Sequence, residues 1–175
     1  MEKVRISKLM AEQGLCSRRE ADSYIERGWV KVDGVVVTLG ERALPTQTIT
    51  LERSAAVQQT SRVTILIHKP MGYVSGQADD GYTPAVALIG PQSRALSDRS
   101  PQRFERSQLR GLAVAGRVDI DSTGLLVMTQ DGRVARQLIG DDTEIDKEYL
   151  VRVQGRLAPA KLELLNEGLS LDGKK

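Results

Sequence analysis

Asp33-Gly34 stands between two β-branched runs, Val30-Lys31-Val32 and Val35-Val36-Val37. A two-residue hairpin turn of the primed type needs positive φ at both central positions. Asp-Gly supplies them at low cost, so the stretch is predicted to be a β-hairpin. The residues ahead of it leave little freedom either. Ile6, Leu9 and Met10 recur at helical spacing, and Gly14 follows as a stop. Ser17-Arg18-Arg19-Glu20 then has the spacing of a capping box, in which the Ser and Glu side chains each accept a backbone N–H at the helix start. Ala21, Tyr24 and Ile25 form the apolar stripe of this second helix, and Gly28 sits where a C-terminal glycine belongs. Up to about residue 51 the chain therefore reads as a helix-turn-helix-hairpin unit. Such a unit is too small to bury a large core alone, and its surface is expected to matter more than its core.

Residues 53–62 lack periodicity and are rich in small and polar side chains, the composition of a linker. Beyond it, β-rich runs at 63–67, 113–115, 125–129 and 149–153 are predicted strands, with short helices near 83–89, 133–139 and 159–168. Strands and helices in this irregular order point to a mixed α+β fold with a mainly antiparallel sheet and flanking helices, not a regular doubly wound one. The expected domains are 1–52, a linker at 53–62, and 63–175. Within the second, 91–112 carries Arg94, Arg99, Arg103, Arg106 and Arg110 against Asp98 and Glu105, a net +3, and is expected to be a mobile basic loop.

Composition removes several classes of function. One cysteine, Cys16, excludes an intramolecular disulfide. With one histidine, His68, the chain cannot build a Cys/His zinc cluster, so no metal is expected, and a Ser-His-Asp triad has only that imidazole to draw on. No G-x-G-x-x-G occurs, which leaves a dinucleotide site unsupported. The start of the chain lacks an apolar signal region and no run is long enough to span a bilayer, so a cytoplasmic protein without membrane contact is expected. A net charge of +2 is too mild to name a polyanionic partner unless the positions of the charges do so.

Those positions are suggestive. Arg18 and Arg19 open the second helix, where the helix dipole and free N–H groups already attract anions, and Lys31 lies on the adjoining hairpin. Together they can clamp phosphates; the plainer reading is that they solubilise an exposed turn. The densest chemistry is Gly116-Arg117-Val118-Asp119-Ile120-Asp121-Ser122-Thr123-Gly124-Leu125-Leu126. A carboxylate beside a guanidinium stays ionised and oriented, which suits attack on an electrophilic carbon, whereas the plainer reading is a loop ion pair with an Asx-type turn. At Tyr149, packing within a sheet is the default.

Two resemblances bear on these alternatives. The run from Arg5 through Ser17-Arg18-Arg19-Glu20-Ala21 to Val30-Lys31-Val32-Asp33-Gly34 resembles the S-four-type RNA-binding module, which binds structured RNA through its basic helix face. The Gly116–Leu125 string resembles the catalytic motif of the RsuA family of bacterial ribosomal RNA pseudouridine synthases, G-R-L-D, two residues, Ser or Thr, one residue, G-L. Asp119 matches that family's essential Asp, Arg117 its Arg and Ser122 its hydroxyl residue, while Val118 stands where Leu is usual. His68-Lys69-Pro70-Met71-Gly72-Tyr73-Val74-Ser75 resembles its Lys-Pro-x-Gly motif, with His68 in place of Asn, and Lys147-Glu148-Tyr149-Leu150-Val151 resembles its Lys-x-Tyr strand.

The resemblance implies isomerisation of a uridine to pseudouridine in ribosomal RNA, without an external cofactor. The large-subunit 23S RNA is the expected substrate, with small-subunit RNA or a non-catalytic RNA-binding module as the alternatives. A DNA-binding regulator is a third class, and it would require a dimer; a monomer is expected here. The implied catalytic residues are Asp119 as nucleophile or base, Arg117 to orient it, and Tyr149 to stack on the uracil. Lys147, Arg18, Arg19 and Lys31 are the implied substrate-binding residues, and His68 is left without a role. In the family the catalytic domain continues past the position of Gly173, so the chain is expected to be truncated at its C-terminus, with an incomplete sheet and uncertain activity.

Overall fold

The computed structural model describes residues 2–78 and 81–170; the end of the expected second domain, 171–175, lies outside the described residues. The chain falls into two compact units, Met1–Ile145 and Asp146–Lys175, so the connector expected at 53–62 lies inside the first unit.

The first unit begins with β1 (Val4–Arg5) and α1 (Ile6–Glu12), which buries Ile6, Ser7, Leu9 and Met10. Gly14 follows in the left-handed region (φ 72°), where it turns the chain back. The capping box forms as its spacing predicts at the start of α2 (Arg18–Glu26): Glu20 N donates to Ser17 Oγ at 3.4 Å, and Ser17 N donates to Glu20 Oε2 at 2.6 Å. After it come β2 (Val30–Val32) and β3 (Val35–Val36), paired antiparallel across the Asp-Gly turn, where Asp33 (φ 49°) and Gly34 (φ 84°) both take positive φ. The Asp33 carboxylate also accepts hydrogen bonds from Gln47 Nε2 and Thr48 N, which hold it below the usual carboxylate range and fix the next turn. Two further strands close the module: β4 (Arg42–Ala43) pairs with β1, and β5 (Ile49–Leu51) pairs with β2.

Where composition suggests a structureless connector, the chain forms a helix, α3 (Arg53–Thr60). Only Ala55 of this helix inserts into the core, so no apolar period marks it in the sequence. The core it joins comprises Ile6, Leu9, Met10, Cys16, Tyr24 and Val30 among others, and it is larger than the core of the sheet that follows.

That sheet has the order β6-β10-β9, built from β6 (Thr64–Lys69), β9 (Ala113–Val114) and β10 (Gly124–Thr129), all antiparallel. Between β6 and β9 a two-residue parallel pair forms, β7 (Tyr73–Val74) with β8 (Thr83–Pro84). One face of the larger sheet buries Leu126 and Met128 against Ala85 and the half-buried Ile67 and Val114, while Leu66, His68 and Leu125 are exposed on its other face. The helix expected at 83–89 is reduced to a 3-10 turn, Ala85–Leu88: Thr83, kept extended by the proline after it, and Pro84 are taken into β8, and Gly90-Pro91 stops the chain from continuing as a helix. Within the basic stretch 91–112, expected to be mobile, residues 98–102 are gathered around Arg94. The Arg94 guanidinium donates to the carbonyls of Gln102, Asp98 and Ser100, and pairs with the Asp98 carboxylate at 2.9 Å. The unit continues through α4 (Gly132–Ile139), where a helix was expected at 133–139.

The second unit carries α5 (Pro159–Glu167), opened by a proline at its first position as helix starts favour. The strand expected at 149–153 does not form. A strand exists only where a second strand completes its hydrogen bonds, and among the described residues none pairs with it; Tyr149 (71 % exposed), Leu150 (96 %) and Val151 (75 %) are open to solvent. Among the described residues no helix is long and apolar enough to cross a membrane.

Candidate active site

The loop between β9 and β10 carries Arg117, Asp119 and Ser122, all exposed. Its backbone is nonetheless pinned on both sides of Asp119. Ser75 Oγ donates to Val118 O at 2.6 Å and accepts from Val118 N at 2.9 Å, and Gly72 N donates to Ile120 O at 2.8 Å. Ser122 N closes the loop by donating to Asp119 O at 3.1 Å. A side chain held out to solvent from so constrained a backbone loses little further freedom when it meets a substrate, which is the preorganisation a reactive carboxylate needs.

The pins come from the turn after β6. Lys69 is fully buried at the end of that strand, and its ammonium donates to the carbonyls of Pro70 and Tyr73, both at 2.9 Å. This ties the turn together, while Gly72 takes a φ of 86° that a larger residue would resist. Lys69, Gly72 and Ser75 lie in the Lys-Pro-x-Gly segment, and none of the three is among the site residues expected from the sequence. The signal available was a lysine ending an apolar strand just before Pro-x-Gly, where burial of the ammonium demands carbonyl partners.

Arg117 and Asp119 share the loop, but among the described residues no ion pair joins them. Lys147 and Tyr149 belong to the second unit, in an irregular, exposed segment that has no sheet partner among the described residues. His68 is exposed on β6 opposite Leu125. Cys16 is not a nucleophile for neutral pH: burial pushes its thiol up to about 11 despite the nearby Arg62 and Arg133.

In the first module, Arg18 and Arg19 are exposed on the opening turn of α2. Two cations at the positive end of a helix dipole oppose helix stability, so the arrangement favours an anion arriving from outside. Lys31, by contrast, is engaged with Glu52 at 2.7 Å. A cleft of about 730 Å³ opens where α1 and α2 face α4, lined among others by Lys8, Glu12, Arg18, Asp131, Arg133 and Arg136. Lys8 pairs with Glu12 and Arg133 with Asp131. Arg18 and Arg136 are in no ion pair among the described residues. Asp131 caps α4 by accepting from Arg133 N at 2.9 Å. Burial pushes its carboxyl up, but the hydrogen bonds and charge of Arg133, with the charge of Arg62, outweigh that and hold it below the usual range.

Comparison with known proteins fits this geometry. The model of the RNA pseudouridylate synthase family matches residues 63–171, more than half of the chain, and that of the S4 domain matches residues 4–49. The chain is similar to the ribosomal large subunit pseudouridine synthase B of Salmonella typhi, 34 % identical over 177 residues covering 96 % of this chain and 55 % of that protein. The protein of the same name from Bacillus subtilis (strain 168) is 33 % identical over 172 residues, covering 98 % of this chain and 64 % of its own length. That from Pseudomonas aeruginosa is 32 % identical, covering 96 % and 41 %. The chain thus spans about half the length of the curated relatives it matches. With a family model covering the whole sheet, the Asp119 loop and the segment that carries Tyr149, the chain belongs to the RNA pseudouridylate synthase family and carries an S4 domain ahead of its synthase region.

Proposed function

We propose that this chain supplies the RNA anchor and the catalytic loop of an enzyme that converts a uridine of large-subunit ribosomal RNA to pseudouridine. The observation that carries the reading is Asp119, exposed on a loop whose backbone is clamped on both sides by Ser75 and Gly72, in a chain similar to large-subunit synthases along nearly its whole length. Pseudouridine is an isomer of uridine: the base–sugar nitrogen bond breaks, the uracil turns and a carbon–carbon bond forms, so the reaction has no redox balance to supply. A base buried in folded RNA must first be exposed and then held. Asp119 acts on the sugar as nucleophile or as the base that takes a sugar proton, and Arg117, once RNA is bound, orients Asp119 and fills the gap left by the displaced nucleotide or contacts its phosphate. Tyr149 stacks on the uracil, with Lys147 as a supporting charge.

Residues 1–52 hold the RNA through Arg18 and Arg19, with Lys31 in a lesser role because Glu52 already engages it. Residues 53–62 connect this module to the synthase region, 63–175. The enzyme acts as a cytoplasmic monomer. A second reading, an RNA-binding module without activity, draws on one observation: among the described residues no strand holds Tyr149. The deciding experiment maps pseudouridine by chemical adduct and reverse-transcriptase stops on 23S and 16S RNA incubated with the chain and with Asp119→Asn. A new stop in 23S RNA that vanishes in Asp119→Asn, with RNA affinity retained within about twofold, supports the enzyme. RNA binding without any stop supports the second reading.

A further inference from the structure

The first module and the sheet meet at a cluster of side chains drawn from segments far apart in the chain. Arg62, just after α3, pairs with Glu20 of α2, donates to Tyr24 Oη at 3.1 Å, and donates to Gln130 O beyond β10 at 3.1 Å. Glu20 and Arg62 are both largely buried there, with side chains 14 % and 13 % exposed. On the other side, Arg133 of α4 grips Asp131 through Nε and Nη2 and reaches back to Gly14 O at 3.2 Å. Gln59 of α3 joins the two halves. With its carbonyl turned toward Arg133 it accepts from Nη2 and Nε at 3.1 and 3.2 Å, and its amide donates to Tyr24 Oη at 3.0 Å. Two cations thus meet two carboxylates, and among the described residues no buried side-chain polar atom is left without a partner. The capped starts of α2 and α4 also abut: a Cβ on Gly132 would stand 2.5 Å from Ser17 Cβ, so this glycine is what allows the approach.

A flexible tether needs none of this. Buried charges cost desolvation, and a set that is fully paired has one favourable arrangement, so it fixes geometry more than it adds stability. We propose that Glu20, Arg62, Asp131 and Arg133 form a rigid joint that sets the span between the RNA-anchoring helices and the Asp119 loop, and thereby which uridine reaches Asp119. The second half of this statement rests on the function proposed above. These four are positioning residues, acting through the placement of Asp119.

The test labels the full chain with paired nitroxides at Glu26→Cys on α2 and Leu66→Cys on β6, both exposed positions, leaving the buried Cys16 unmodified. Electron-spin distance measurement should give one narrow distribution for this background. Arg62→Ala and Arg133→Ala should broaden it, and Arg62→Lys, which keeps the charge facing Glu20, should largely restore it. Where Arg62→Ala fails to fold, Gly132→Ala decides instead, since its methyl wedges the joint while improving α4's intrinsic helix propensity. In RNA assays the broadened variants should form pseudouridine at neighbouring uridines, with kcat lower by about tenfold or more and KM within about twofold. A distribution already broad in the labelled background, or unchanged in Arg62→Ala, Arg133→Ala and Gly132→Ala, overturns the joint. A broadened variant that keeps the same uridine and kcat overturns its role in selection. A narrow distribution that broadens in the variants, with no pseudouridine formed by the unaltered chain in any RNA, upholds the joint while overturning the proposed activity.

Discussion

In the proposed reaction Asp119 is the reactive group, and Ser75 clamps the backbone beside it. Ser75→Ala leaves Val118 N and O without their hydroxyl partner, at a cost of about 1–3 kcal/mol in urea unfolding. Turnover should fall while RNA affinity holds, and a loss of affinity equal to the loss of turnover would show that the clamp serves binding instead. The cations of the first module separate in the same way. Replacing Arg18 and Arg19 together by Ala should flatten the dependence of log affinity on log salt by about 2. Lys31→Ala should change it by less than about 1, because Glu52 already neutralises that ammonium. Equal slopes for the double variant and the parent would place the RNA on another face. At this scale Asp119, Arg18 and Arg19 stand out in the sequence, since each is an exposed charge in a short motif. Ser75 does not, because its role consists of bonds to the carbonyl and amide of Val118 that no spacing rule displays, and Lys69 shows only as a lysine closing an apolar strand before Pro-x-Gly.

Among the elements, α2 and α4 repay comparison, because both begin with a capping side chain and both take part in the joint. The carboxyl of Asp131 lies below its ordinary value of 3.8 in the folded chain. The unfolded chain therefore takes up the proton first on acidification. The stability this group contributes is complete above the ordinary value and is lost as pH falls through the folded one, so the window lies below about pH 4. Asp131→Asn should cost about 1.5–3 kcal/mol at pH 7, and the gap to the parent should narrow on acidification, as read by urea unfolding between pH 7 and pH 3. A gap that stays constant to pH 3 would show that the carboxylate is not held by Arg133 and Arg62. Element boundaries were legible where chemistry is local: the capping box, the glycine stop and the Asp-Gly hairpin all form as spelled. They were not legible at α3, where a single buried alanine replaces an apolar stripe, or at 149–153, where a β-rich run finds no partner strand among the described residues.

For the whole molecule, the larger core lies in the first module, although that module was expected to be slight. Ala55 from α3 enlarges that core, and the Arg62 and Arg133 contacts fasten it to the sheet. Hydrogen exchange should accordingly be slowest in α1, α2 and β2, intermediate in β6 and β10, and fastest across 146–158, which makes no regular structure. Exchange at 149–153 as slow as in β6 would mean that this segment is paired in solution. The sequence by itself determined an S4 domain ahead of a synthase region, the mixed α+β class and the motif that carries Asp119, because turns, caps and strand ends obey rules acting over a few neighbouring residues. The tertiary structure alone decided that Ser75 clamps Val118, that Glu52 engages Lys31, and that Glu20, Arg62, Asp131 and Arg133 share one partly buried cluster. Each of these depends on bringing together residues separated along the chain, and whether two such charges meet is settled by how the core packs, which no local pattern encodes.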